Sequence, residues 1–266
     1  MLNAVLQQCN ERISQSPCCK ENHLCNCVSD LMDDYNCAVR RADSYNCNKK
    51  MDTYIIRYGA AYASEIYHYL NASDFKSKIK LNKPIVIKSL GCGFSPDYYA
   101  IKKYFNDNDI QIPINYDGFD NSDCWDNALP NTDECDYYEA DLTEQFDISD
   151  ADVIIIGKVF STLYRNQQHS SFLNNLKSAV STLKPETIII FIDINHYAMG
   201  RDVFHNSVKR YLPKFKQYYY NPYGDAHTEN GWEEINQTRQ IFEIPNELSV
   251  TPLSSVGKTV IFEYRK

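Results

Sequence analysis

The sequence predicts an α/β protein with a doubly wound, mostly parallel seven-stranded sheet, preceded by a cysteine-rich, mainly helical module. Apolar, β-prone runs alternate with helix-compatible segments, which is typical of a parallel sheet covered by helices on both faces. A Gly-x-Gly turn follows the first such run, and seven of the ten cysteines fall within the first 47 residues. The 266 residues suffice for one full α/β domain, placed at residues 81–266, and a smaller unit at residues 1–80.

The stretch 85–97, Ile-Val-Ile-Lys-Ser-Leu-Gly-Cys-Gly-Phe-Ser-Pro-Asp, predicts a strand, a tight turn and the start of a helix that continues over Tyr98–Phe105. Gly91 and Gly93 can adopt backbone angles closed to other residues, and they allow a ligand to lie against the main chain. The helix that follows directs its N-terminal amides at such a ligand. This arrangement is typical of the unit that opens a nucleotide-binding domain.

The other strands follow at regular intervals. They are predicted at residues 114–119, 137–141, 151–157, 187–193, 216–220 and 259–264. The runs 151–157 and 187–193 are almost continuously apolar, which indicates strands buried on both faces, and a helix over Ser170–Leu183 separates them. Asp120 lies at the carboxyl end of the second strand, where a carboxylate can accept hydrogen bonds from a ribose diol.

This series resembles the class I (Rossmann-like) S-adenosylmethionine (SAM)-dependent methyltransferases over about residues 81–266. Ser-Leu-Gly-Cys-Gly at 89–93, Gly-Phe-Asp at 118–120, Ala-Asp-Leu at 140–142 and residues 153–163 match the first four motifs of that family in order. The resemblance implies that SAM is the cofactor and that the final strand is antiparallel. It also implies that Asp120 binds the ribose, that Asp141 and Leu142 lie by the adenine, and that Lys158 borders the cofactor.

Two positions depart from the family pattern. Ser89 stands where family members usually carry an acid, and Ser95 stands at the third glycine position. The Ser89 hydroxyl can still bond the methionine ammonium of the cofactor, but it carries no charge. Asp97, at the start of the helix, is the candidate to supply that charge; alternatively, it only interacts with the helix dipole. Residues 157–162 lack the Asn/Asp-Pro-Pro-Tyr signature, which disfavours DNA adenine methylation.

The predicted function is therefore methyl transfer from SAM to an unidentified acceptor, either an RNA, a protein or a small molecule. Because no catalytic constellation is visible, the acceptor cannot be read from a catalytic group. Ser89 and Ser95 leave a second hypothesis open, a catalytically silent member of the fold that acts as a binding or scaffolding module. A nicotinamide-dependent oxidoreductase is a weaker third, because the turn lacks the full Gly-x-Gly-x-x-Gly.

Charge is unevenly distributed along the chain. Between Lys103 and Lys158 there are 15 Asp and Glu residues and no Lys or Arg. A negative field there suits a cationic cofactor and repels phosphates, so duplex DNA is an unlikely partner. An RNA would approach through the N-terminal module or the basic stretch Lys209–Lys216, which is otherwise an ordinary exposed face. No apolar run approaches the roughly 18 residues of a membrane helix, and no signal peptide is visible, so we predict a cytoplasmic protein without a membrane partner.

Two segments are candidates for the walls of a site. A helix over residues 51–70 carries a tyrosine stripe, from which Tyr58 or Tyr62 could line the cofactor site; packing on the sheet is the alternative. The long connection 221–257 is expected to form part of a substrate wall. It contains His227, for which a surface position is preferred over a role as general base.

The cysteine-rich segment suggests a metal, because clustered cysteines in a reducing compartment bind metal more often than they form disulfides. The preferred zinc ligands are Cys25, Cys27, Cys37 and Cys47, with Cys18 or Cys19 as a replacement. The spacing is irregular and has no Cys-x-x-Cys pair. An iron–sulfur cluster and free or partly disulfide-linked thiols therefore remain alternatives.

We expect the purified protein to contain about one zinc ion per chain, because four thiolates form a tetrahedral site that orders a loop-rich segment. Elemental analysis measures this directly. A metal-free protein whose cysteines all titrate as thiols would contradict the zinc hypothesis.

Overall fold

The computed structural model describes residues 1–15, 47–224 and 226–266. The strands in chain order are β1 (Ile85–Leu90), β2 (Ile114–Asp120), β3 (Cys135–Glu139), β4 (Val153–Gly157), β5 (Ile188–Ile194), β6 (Lys214–Tyr219), β7 (Glu233–Glu234) and β8 (Thr259–Arg265). The helices are α1 (Leu2–Gln15), α2 (Asn48–Ala72), α3 (Pro96–Asp107), α4 (Phe160–Arg165), α5 (His169–Ser181) and α6 (Arg201–Val208). Short 3-10 turns occupy Phe75–Lys78, Asp123–Ala128 and Tyr197–Met199.

The strands form one sheet in the order β3-β2-β1-β4-β5-β8-β6-β7. All pairs are parallel except those of β8, which runs antiparallel to both β5 and β6. The mostly parallel sheet and its antiparallel closing strand are confirmed, but the predicted number of seven strands is wrong. The additional strand is β7 (Glu233–Glu234), which lies inside the long connection 221–257. Two exposed residues are too short a segment to leave a hydrophobic period in the sequence.

The strand order reverses at β1, which has β2 on one side and β4 on the other. A crevice opens at the carboxyl ends of parallel strands at such a switch point, and ligands bind there in open α/β sheets. The glycine turn at 91–93 follows β1 directly and therefore lies in this crevice.

The two faces of the sheet support two hydrophobic cores. Alternate residues of the central strand β4 point to opposite faces, so that Ile155 joins one core while Ile154 and Ile156 join the other. The first core also contains apolar residues of α1, α2 and α3, and the second contains those of α4, α5 and α6. The described helices of the predicted N-terminal module therefore share a core with the sheet. Within the described ranges, no helix is long and apolar enough to cross a membrane.

Gly118 in β2 illustrates how closely this first face is packed. A Cβ atom at Gly118 would lie 2.7 Å from the Tyr137 ring and 2.9 Å from Cys92 Sγ. We expect Gly118→Ala to lower the free energy of unfolding by about 1–3 kcal/mol, the usual cost of overpacking a core. Urea denaturation measures this value. Gly257→Ala is the control, because a Cβ there has no neighbour within 4 Å; equal stability of the two variants would contradict the packing argument.

Candidate active site

A cavity of about 390 Å³ opens in the crevice at the switch point. Its lining includes all eight residues that the sequence predicted for cofactor binding: Ser89, Gly91, Gly93, Asp97, Asp120, Asp141, Leu142 and Lys158. The volume falls within the usual range for small-molecule sites, which is about 300–1,000 Å³. The structure therefore brings these residues together, whereas their individual roles remain predictions.

The glycine turn has the backbone conformation that its residue types suggest. Gly91 and Gly93 have φ values of +72° and +53°, in the region that favours glycine. Gly91 is also required for packing, because a Cβ atom there would lie 2.5 Å from Cβ of Val159. Ser95, at the third glycine position, is itself left-handed with φ +62°. A serine thus takes the left-handed conformation that favours glycine.

Asp120 holds the turn and faces the cavity. Its Oδ2 accepts a hydrogen bond from Gly93 N at 2.9 Å, and its Oδ1 accepts from Ser122 N and Trp125 Nε1, both at 3.2 Å. Burial raises the pKa of Asp120, and these donors partly offset that increase. The half-buried Asp120 carboxylate therefore stabilises the turn, and it lines the cavity where a ligand hydroxyl can approach it.

Asp97, in the first turn of α3, contributes a buried carboxylate to the cavity wall. It is only 2% exposed, and Tyr116 donates its hydroxyl to Oδ1 at 2.9 Å. Oδ2 is buried and receives no hydrogen bond from the described part of the chain. Burial raises the pKa of Asp97, with hydrogen bonds from Ser89 and Tyr116 opposing the change. A buried carboxylate with an open oxygen is costly unless a cationic ligand approaches it. This arrangement favours the charge-supplying role over a helix-dipole role alone.

Lys158 lies across the cavity from Asp120 and belongs to a buried charge cluster. Its backbone is left-handed, with φ +58°, and its Nζ lies 3.0 Å from Glu65 Oε1. Nζ also donates to Thr259 Oγ1 at 2.6 Å, and Thr259 Oγ1 in turn donates to Glu65 Oε2 at 3.0 Å. Glu65 lines the cavity from α2 and is fully buried. Glu65 was not predicted from the sequence; the available signal was an acid among the tyrosines and apolar residues of α2.

Aromatic rings form the wall that α2 contributes. Tyr54 and Tyr62 line the cavity together with Trp125 from the 3-10 turn after β2. Tyr58 does not line it but stacks on Tyr62 with ring centroids 5.5 Å apart. Of the two predicted tyrosines, Tyr62 therefore faces the cavity and Tyr58 supports it. Trp125 was missed because no periodic pattern marks a short 3-10 turn.

The described part of the long connection does not line this cavity. It runs along α2 instead, where Leu253 N donates to Arg57 O at 2.9 Å and Ile241 N donates to Ser64 Oγ at 3.0 Å. The expected contribution to a cavity wall is thus not observed at this site. His227 is exposed, and its carbonyl accepts from Arg201 Nη1 at 2.8 Å, which fits the preferred interpretation of a surface histidine.

The predicted metal site cannot be assembled from the described residues. Cys25, Cys27 and Cys37 lie outside them, while Cys47 is buried at the N-terminal boundary of α2. Among residues 1–15, 47–224 and 226–266, no three His, Cys, Asp or Glu side chains are grouped to hold a metal ion. Zinc therefore stays a prediction. The four basic residues of the 209–216 stretch, Lys209, Arg210, Lys214 and Lys216, are all exposed.

Comparisons with known proteins agree with this architecture. No protein-family model and no curated protein matches the sequence. Among solved structures, the plantazolicin methyltransferase BpumL in complex with S-adenosylhomocysteine (SAH) has a TM-score of 0.50 at 10% identity, over 100% of this chain and 99% of that chain. The N-methyltransferase NodS from Bradyrhizobium japonicum WM9, also with SAH, has a TM-score of 0.44 at 9% identity, over 74% of this chain and 87% of that chain.

A TehB-like SAM-dependent methyltransferase from Corynebacterium glutamicum has a TM-score of 0.41 at 11% identity, over 76% of this chain and 95% of that chain. At such low sequence identities the similarity concerns the fold alone. The match to BpumL, which spans almost the full length of both chains, is the one that supports this conclusion. The chain has the class I fold of the SAM-dependent methyltransferases, as the sequence resemblance implied.

The buried charge of Asp97 should lower the stability of the ligand-free protein. We expect Asp97→Asn to raise Tm at neutral pH by about 2–4 °C, equivalent to roughly 1 kcal/mol in a chain of this size. The variant removes a charge whose burial destabilises the fold, and Tyr116 can still donate to Oδ1. Because the folded-state pKa of Asp97 is raised, wild-type stability improves as pH falls through it, and the difference between the two proteins should shrink.

Thermal denaturation of both proteins across acidic and neutral pH measures this difference. Asp133→Asn, at an exposed acid before β3, is the control and should leave Tm unchanged. A lower Tm for Asp97→Asn at neutral pH would show that the Asp97 charge stabilises the ligand-free fold.

Proposed function

We propose that the protein binds SAM in the cavity and transfers its methyl group to an acceptor. The observation that carries the proposal is the convergence of all eight predicted cofactor residues on one cavity at the switch point of the sheet. Structural neighbours with this fold are SAM-dependent methyltransferases, and BpumL and NodS were solved with SAH bound.

The residues present fit this cofactor. The left-handed turn at Gly91 and Gly93 provides a backbone surface without side chains, and the half-buried Asp120 carboxylate lines the cavity where the ribose would lie. Asp97 Oδ2 is a buried oxygen without a hydrogen bond among the described residues, and an ammonium group would satisfy it. When bound, SAM supplies an activated methyl group on a sulfonium, so the chain has mainly to position the reactants and exclude water.

The electrostatics of the lining support a cationic cofactor over an anionic one. Among the described residues, five acids line the cavity, namely Glu65, Asp97, Asp120, Asp123 and Asp141, against the single base Lys158. A dinucleotide would bring a negatively charged pyrophosphate into this field, whereas SAM brings a sulfonium and an ammonium. The acidic lining therefore favours a methyltransferase over a nicotinamide-dependent oxidoreductase. It also disfavours the silent scaffold, because Asp97 restores the charge that Ser89 lacks.

Three classes of methyl acceptor are compatible with this site. RNA, a protein and a small molecule stay open, and duplex DNA is disfavoured by the acidic lining of the cavity. The described part of the chain offers Lys209–Lys216 as an exposed basic stretch for an RNA, but it does not line the cavity.

We expect Asp120→Ala to weaken SAH binding by about 1.5–3 kcal/mol, the usual contribution of a hydrogen bond to a charged group. Isothermal titration calorimetry of the folded variant with SAH measures this loss, and the same titration with NAD should give no binding heat. Asp126→Ala is a matched control, because Asp126 is an exposed acid in the same 3-10 turn as Trp125. Unchanged SAH affinity in folded Asp120→Ala would overturn the assignment of Asp120, and binding of NAD but not SAH would overturn the proposed function.

A further inference from the structure

The charge cluster around Glu65 lies at the end of the cavity that is remote from the predicted ribose site. Asp120 ends β2, Lys158 follows β4, and Thr259 begins β8. In the sheet order, β4 is two strands from β2 and β8 is four strands away. With neighbouring strands about 4.8 Å apart, these separations are about 10 Å and 19 Å. Glu65 bonds both Lys158 and Thr259, so it lies on the far side of the cavity from Asp120.

Glu65 has an open acceptor position in this cluster. Its Oε1 is buried and lies 3.0 Å from Lys158 Nζ, but it receives no hydrogen bond of good geometry from the described chain. Its Oε2, in contrast, accepts from Thr259. A carboxylate oxygen has two lone pairs, so Oε1 can accept a hydrogen bond from a ligand in the cavity while Lys158 stays beside it.

The charges of the cluster do not cancel. Asp193, at the end of β5, is 1% exposed and accepts from Ser161 N at 2.8 Å and Ile194 N at 2.7 Å. Within the described part of the chain, Lys158 is the one cation of the cavity lining. The charges of Lys158, its partner Glu65 and Asp193 sum to minus one. Burial raises the pKa of both carboxylates, and Lys158 opposes the increase in each. An anionic acceptor would meet this negative charge, whereas a protonated amine would neutralise it.

We propose, building on the proposed function, that this end of the cavity binds the methyl acceptor, that the acceptor atom is an amine nitrogen, and that Glu65 Oε1 takes its proton. Glu65 accepts one proton from the ammonium and exposes the nitrogen lone pair. The nitrogen forms a bond to the methyl carbon that SAM supplies, while the carbon–sulfur bond breaks and its electron pair stays on sulfur. Glu65 then releases the proton to water.

A carboxylate is suited to this role when its environment brings its pKa closer to the working pH, as burial does for Glu65. Lys158 positions the Glu65 carboxylate through the ion pair. The Lys158 ammonium also lies 5.1 Å from the centroid of the Tyr62 ring, so it is held from two sides. In this arrangement Lys158 is a positioning residue, and Glu65 is the group that contacts the acceptor.

Sinefungin tests this inference without knowledge of the natural acceptor. It matches SAH in its nucleoside and amino-acid parts, but a carbon bearing a primary amine replaces the sulfur, so the amine occupies the place of the transferred methyl group. We expect the wild-type protein to bind sinefungin at least about tenfold more tightly than SAH, as a charge-assisted hydrogen bond would give. In Glu65→Gln this preference should disappear while SAH affinity is retained.

Calorimetric titration of both ligands into wild type and Glu65→Gln measures the preference. Glu263→Gln is the matched control, because Glu263 is also buried and ion-paired, with Lys78 Nζ at 2.6 Å, but does not line the cavity. This control should keep the preference for sinefungin.

Three outcomes would overturn the inference: equal affinities of wild type for the two ligands, a preference that survives in Glu65→Gln, or an equal loss of affinity for both ligands in that variant. An equal loss of affinity for both ligands would place Glu65 beside the amino-acid part that they share. The wild-type comparison decides the matter even if Glu65→Gln does not fold. Failure of wild type to bind either ligand would instead overturn the proposed function.

Discussion

Burial of carboxylates at the carboxyl end of a parallel sheet is the constraint on which the rest of this site depends. Asp97, Glu65 and Asp193 are buried and Asp120 is half-buried, and burial raises the pKa of each. Removing an ion from water costs several kcal/mol unless partners compensate it. The fold supplies backbone amides to Asp120 and Asp193 and an ammonium to Glu65. It leaves one oxygen of Asp97 and one of Glu65 without a hydrogen bond from the described chain. These two oxygens are the positions at which a cationic group or a hydrogen-bond donor of a ligand can bind.

Helix α2 couples the N-terminal region to this electrostatic arrangement. One face of the helix joins the core on the sheet, where Tyr69 donates its hydroxyl to Glu263 Oε2 at 2.7 Å. Another part of the helix brings Tyr62 and Glu65 to the cavity. Because packing and site residues share one rigid helix, their relative positions are set by the core rather than by a loop. Strand β8 completes the cluster. Because it runs antiparallel to β5, its N-terminal end lies beside the carboxyl end of β5 and places Thr259 next to Lys158.

Much of the fold could be predicted because its signals are local. The glycine turn, the apolar runs of β4 and β5 and the helix over residues 48–72 each carry a pattern that spans a whole element. The position of Asp120 followed from its place at the end of a predicted strand, because parallel strands end at one edge of the sheet. The misses were short elements. Glu233–Glu234 and the 3-10 turn that holds Trp125 contain too few residues for a hydrophobic period.

The sequence by itself determined the α/β class, the glycine turn after the first strand and the residues at the ends of the predicted strands, because those depend on periodicity and on chain order. Only the tertiary structure decided the pairing of Glu65 with Lys158 and Thr259, which are separated by 93 and 194 positions from it. It also decided that Asp97 Oδ2 is buried without a partner in the described chain, and that Tyr62 rather than Tyr58 faces the cavity. Such facts depend on how helices lie on the sheet. Side-chain packing fixes that geometry, and no local pattern encodes it.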